Sequence, residues 1–61
     1  RHEDVELFYR MLEQTLIDIQ FLDPANRRRL MPRLRRMFAR TRLEKDELNI
    51  LMGILRAVRE D

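Results

Sequence analysis

The chain has no cysteine and no tryptophan, and in 61 residues it has one glycine, two prolines and one histidine. Without cysteine there are no disulfides and no thiolate-held metals, and the redox compartment stays open. His2 has no second histidine beside it, so no metal site is expected, and a residue of a fraying chain end is the plainer reading. There is no Gly-rich phosphate loop, no Ser-His-Asp set and no HExxH motif, so no catalytic residue is assigned. No apolar run approaches the roughly 20 residues needed to span a bilayer. No signal peptide is visible either, so the expectation is a cytoplasmic protein without a membrane partner. A chain of this size buries only about 60% of its unfolded surface, enough for a minimal helical core and too little for a deep enzyme pocket. It opens with Arg rather than Met, which reads as a fragment or processed product of a larger protein.

What the chain does have is arginine, and two thirds of it in one place. The stretch Arg27 to Arg42, RRRLMPRLRRMFARTR, holds eight arginines and no acid, whereas the remainder holds five basic and eleven acidic residues. A local charge of +8 is thus hidden inside a net charge of +2. Clustered positive charge is an electrostatic footprint for polyanions, and guanidinium suits phosphate forks and stacking on bases better than ammonium does. The structural alternative is a solvated helix face whose arginine stems cover apolar surface.

The composition is strongly helical, and the apolar spacing divides it into three. Val5, Phe8, Leu12, Thr15, Ile19 and Leu22 follow a 3-4-3-4-3 spacing, and Tyr9, Met11 and Leu16 widen that stripe into a face for two neighbours. Glu6, Arg10 and Glu13 fall on the outer side. Asp23-Pro24 breaks this helix, and Asn26 is placed to cap the next. Leu30, Leu34, Met37, Phe38 and Thr41 form the second stripe, with Met31 at its edge. Arg29, Arg33, Arg36 and Arg40 make one flanking ridge, and Arg28, Arg35 and Arg42 make the other. Pro32 predicts a kink, or a helix that starts late enough to hold proline in its first turn. Glu44 and Glu47 form an imperfect capping box for a third helix, whose core stripe is Leu48, Leu51, Leu55 and Val58, joined by Met52. Ile50, Gly53 and Ala57 form a second, small-residue stripe, read as close packing within the bundle or as a docking face for a partner. Thr15 and Asn49 are assigned local backbone hydrogen bonds. The expected fold is all-α, a compact three-helix bundle with helices at about 3–21, 27–41 and 45–59, in a single domain spanning 1–61.

Four ordered segments also carry a resemblance: FYRMLEQTL (Phe8 to Leu16), FLDPAN (Phe21 to Asn26), LRRMFARTRL (Leu34 to Leu43) and ELNILMGIL (Glu47 to Leu55). Together they resemble the C-terminal extension of the bacterial TrmJ-like tRNA ribose 2′-O-methyltransferases of the SPOUT (TrmH-like) superfamily. The resemblance covers nearly the whole chain. It implies the helical C-terminal domain of an enzyme that methylates cytidine or uridine in the anticodon loop. It also implies a separate N-terminal catalytic domain, a knotted α/β fold that binds S-adenosylmethionine and forms a homodimer. None of that domain's motifs occurs here, so no cofactor is expected in this chain. The partners implied are tRNA and that catalytic domain. The residues matching the family that would meet RNA are Arg35, Arg36, Arg40 and Arg42; Arg28, Arg29 and Arg33 join them, with Arg27, on charge alone. Two departures stand out. Met52 replaces a frequent arginine of the ILxGIL motif, removing one phosphate contact, and Pro32 interrupts a stretch usually free of proline. The alternative function is a structural module whose Ile50, Gly53 and Ala57 face docks or self-associates without touching RNA.

Overall fold

The computed structural model describes residues 2–60. Among them run three α-helices and no strand: α1 (His2–Asp18), α2 (Arg27–Ala39) and α3 (Lys45–Glu60), with a single 3-10 turn, Pro24–Asn26, leading into α2. The all-α three-helix expectation holds.

The helix ends between α1 and α3 have local causes. The α1 helix stops at Asp18, earlier than expected, because Gln20 takes a left-handed backbone with φ of 65°. The amide of Gln20 donates to the Ile17 carbonyl at 3.0 Å, and that of Phe21 donates to the Leu16 carbonyl at 2.9 Å. This pair of bonds is the Schellman closure, normally built on glycine. Leu22 is turned back into the core while Ile19, expected in the core stripe, is left exposed. At the next start, Asp23 and not Asn26 is the capping side chain. Its carboxylate accepts from the Ala25 amide at 3.0 Å, and Asn26 makes no cap bond. Since α2 begins at Arg27, Pro32 lies in the helix interior on the exposed side. That placement removes the late-start alternative and leaves the Arg28 carbonyl without its intrahelical donor. Arg42, with φ of 53°, turns the chain out of α2. The α3 start has half of a capping box: the Glu44 amide donates to the Glu47 carboxylate at 2.8 Å.

The core is small and lies chiefly between α1 and α3. Phe8, Tyr9, Leu48 and Met52 are buried together, with Val5, Met11, Leu12, Leu51 and Leu55 packed around them. Phe38 reaches in from α2 and meets the Phe8 ring edge to face, centroids 5.3 Å apart, a geometry worth about 0.5–1.5 kcal/mol beyond area. The inward side of α2 is turned from the one expected. Met31 is its buried residue, whereas Met37 and Thr41 are exposed. Met52, set against a family arginine, faces the core rather than any phosphate, and Val58 lies outside the core. Thr15 is also corrected. It is only 1% exposed, and its hydroxyl has no hydrogen-bond partner among the described residues. Asn49, by contrast, is exposed. The accessible surface is 5118 Å² for a 7.6 kDa chain, against roughly 4,300 Å² for an average monomer of that mass. Part of the excess is apolar.

Candidate nucleic-acid interface

The basic segment folds into α2 and the turn after it, with its arginines on two sides of a half-buried apolar stripe. On the outer side, Arg33, Arg36 and Arg40 line one shallow groove with Met37, and Arg29 and Arg33 line a second with Phe21 and Leu30. The 4-3-4 spacing therefore becomes one continuous ridge of exposed guanidiniums. Along it, Arg29, Arg33, Arg36 and Arg40 meet no carboxylate within ion-pair distance among the described residues. Arg27 approaches Glu13 at 3.9 Å, a long and exposed pair of small energetic weight. Arg28 is exposed as well.

Arg35 stands apart from its neighbours. Its two terminal nitrogens donate to the two Glu6 oxygens at 2.9 and 2.8 Å, a bidentate fork from α2 to α1. The same guanidinium lies over the Tyr9 ring, 4.5 Å from its centroid, while the Tyr9 hydroxyl donates to the Arg35 carbonyl at 3.2 Å. Glu6, placed on the outer side by spacing, is therefore a bridge between helices. The Arg35 hydrogen bonds hold the Glu6 carboxyl below the ordinary glutamate value, and its charge acts in the same direction. Burial raises the Tyr9 phenol above its ordinary value, against the opposing field of Arg35. Arg35 thereby fixes α2 on α1, and so fixes the direction in which the ridge points.

Arg42 is placed differently again. It lines a cleft of about 320 Å³ with Val5, Tyr9, Arg35, Phe38, Ala39 and Leu43. The second residue set, on α3, is exposed. Ile50 is 63% and Ile54 54% exposed, and Gly53 and Ala57 are exposed beside them. A β-carbon added at Gly53 would meet nothing within 4 Å among the described residues. The expectation of close packing at Gly53 within the bundle is thus overturned, because no described residue comes within contact distance of that position.

No three acidic or histidine side chains gather into a metal-binding group among the described residues, and no described helix is long and apolar enough to cross a membrane. The clefts do not fit S-adenosylmethionine. Two are rimmed by arginine with no carboxylate, and the third sets Asp23 against two arginines, so a sulfonium cation would be repelled. Sequence reasoning missed Glu6 and Tyr9, the residues that hold Arg35. Their one signal was a carboxylate and a phenol three residues apart on the same helix side.

Residues 3–61 match the family model described as tRNA methyltransferase TrmJ, C-terminal domain. The chain is 57% identical over 53 residues to the tRNA (cytidine/uridine/adenosine-2′-O-)-methyltransferase TrmJ of Pseudomonas aeruginosa, covering 87% of this chain and 21% of that protein. It is 50% identical over 58 residues to the tRNA (cytidine/uridine-2′-O-)-methyltransferase TrmJ of Pectobacterium atrosepticum, covering 95% of this chain and 24% of that protein. The enzyme of the same name from Klebsiella pneumoniae is 45% identical over the same shares. The chain therefore spans only a fifth to a quarter of these relatives' length. No solved structure matches it. With a family match across nearly its whole length and relatives of this similarity, the chain belongs to the TrmJ C-terminal domain family of tRNA methyltransferases.

Proposed function

We propose that this chain is the accessory tRNA-binding part of an S-adenosylmethionine-dependent tRNA ribose 2′-O-methyltransferase that acts in the cytoplasm on the anticodon loop. The observation that carries the reading is the Arg29, Arg33, Arg36 and Arg40 ridge, four exposed cations on one helix side, none within ion-pair distance of a carboxylate among the described residues. Guanidiniums spaced by one helical turn, about 5.4 Å, are suited to successive phosphates of one strand. Such contacts position an RNA without reading its sequence. Arg28 and Arg42 extend the basic surface. Arg35 acts in it chiefly by holding α2 through Glu6. The chain itself supplies no methyl-transfer chemistry; cofactor and catalysis belong to the remainder of a protein of the relatives' length. Binding to tRNA and to an equally long DNA duplex, each across a salt series, tests the reading. Salt-sensitive binding that favours tRNA supports it, and equal affinity for the duplex defeats it.

The exposure of Ile50 favours a second reading that coexists with the first. Here the Ile50, Gly53 and Ala57 face of α3 rests on the catalytic part of the parent methyltransferase, itself a homodimer. The matched stretch is 21–24% of the relatives' length, so such a protein has ample surface to cover this face. Ile50→Glu in the parent enzyme would then expose the domain to limited proteolysis, and unchanged protection would dismiss the contact.

A further inference from the structure

We infer that the cleft at the C-terminal end of α2 is a seat for one unstacked nucleobase of a single-stranded RNA loop, an inference that rests on the RNA-binding reading above. The cleft lies between the first half of α1 and the end of α2. Its walls are the apolar Val5, Phe38, Ala39 and Leu43, and two guanidiniums, Arg35 and Arg42, stand at it. Its volume, about 320 Å³, is at the small end of the range that holds compact organic ligands. A flat body with an attached anion satisfies both halves of this lining. The base would lie on apolar and aromatic wall, and its phosphate would meet a cation at the rim. Single-stranded RNA presents such groups, and its bases stack on aromatic rings and on guanidinium planes.

Two features single out Arg42. Arg35 is already committed to Glu6 through both terminal nitrogens, whereas Arg42 is exposed and has no carboxylate partner among the described residues. Arg42 also holds φ at 53°, a left-handed backbone that glycine adopts at no cost and other residues adopt under strain. The chain thus places a guanidinium at a position where the backbone favours glycine. The ridge residues Arg36 and Arg40 stand at this same end of α2, on the other flank of its apolar stripe.

The test uses an RNA hairpin with an unpaired loop and the same hairpin with its loop nucleotides made abasic. Affinities are read by fluorescence anisotropy, and the fold of each variant is checked by circular dichroism. The intact loop is expected to bind about tenfold more tightly, the scale of stacking one base. Arg42→Gly and Ala39→Leu, which respectively remove the rim cation and fill the cleft, should each bring the two hairpins to equal affinity. Arg42→Gly should do so while raising Tm, because it relieves the backbone, so a folding defect cannot mimic the result. The pair Arg36→Glu and Arg40→Glu should weaken both hairpins alike. If the unsubstituted chain binds both hairpins equally and with strong salt dependence, the ridge stands and the nucleobase seat is wrong. If it binds neither, the seat fails together with the reading beneath it.

Discussion

The outer sides of α2 and α3 are both turned away from the core, yet they are chemically opposite. On α2 the exposed positions include Arg29, Arg33, Arg36 and Arg40, whose grooves hold one acid, Asp23; on α3 they include the uncharged Ile50, Gly53, Ile54 and Ala57. A core this small leaves two helix sides uncovered, and each has been given a different surface. Water solvates the first without penalty and the second at a cost of roughly 25 cal/mol for each Å² of apolar area. The basic side suits a hydrated polyanion that binds and leaves, and the apolar side suits a surface that stays covered. The inner attachments differ as well. The α1 and α3 helices share the buried cluster, whereas α2 is held by Phe38, Met31 and the Arg35 latch onto Glu6 and Tyr9.

Removing the scaffold should abolish the distinction altogether. Phe8, 1% exposed at the meeting of all three helices, should cost about 3–5 kcal/mol when changed to Ala. In a chain this short that is most of the stability, so thermal unfolding should lose its cooperative transition. Next in size, Thr15→Val should stabilise by about 1–2 kcal/mol, read in urea midpoint, because a buried hydroxyl without a partner carries a desolvation penalty. On the apolar side, Gly53→Ala should raise stability by about 1 kcal/mol through helix propensity alone, since the added methyl meets nothing. A destabilised Gly53→Ala chain would mean that α3 packs closely there after all.

The smallest effect concerns the latch. The Glu6 carboxyl is held below its ordinary value by Arg35. A depressed carboxyl contributes stability that is present above its unfolded value and lost as pH falls through the lower folded one. A carbon-detected NMR titration should therefore place the Glu6 transition below the ordinary glutamate value. Arg35→Gln should move the Glu6 transition upward.

The number of helices and their links were legible because apolar residues at three-four spacing and an Asp-Pro break are local signals. The helix ends were less so. Gln20 carries no mark of the left-handed conformation it adopts, and a one-turn shortening of α1 moved Ile19 out of the core. The facing of α2 was hidden for another reason. Met31 and Met37 are equivalent on composition, and the choice between them follows from Arg35 finding Glu6, 29 residues away in the chain. Gly53 was misread because a helix glycine that permits contact and one that meets nothing look alike in sequence. The basic ridge was visible at once, since charge clustering requires no partner to be seen.

Binding of tRNA phosphates by the α2 ridge is the proposal on which the function rests. Its most direct test is the salt dependence of tRNA affinity for the unsubstituted chain and for the Arg36→Glu, Arg40→Glu pair. The expected log–log slope is about −0.7 to −0.9 for each phosphate neutralised, flattened by about one unit for each arginine replaced and unchanged by Ile50→Glu. Identical slopes for the unsubstituted and doubly reversed chains would contradict it.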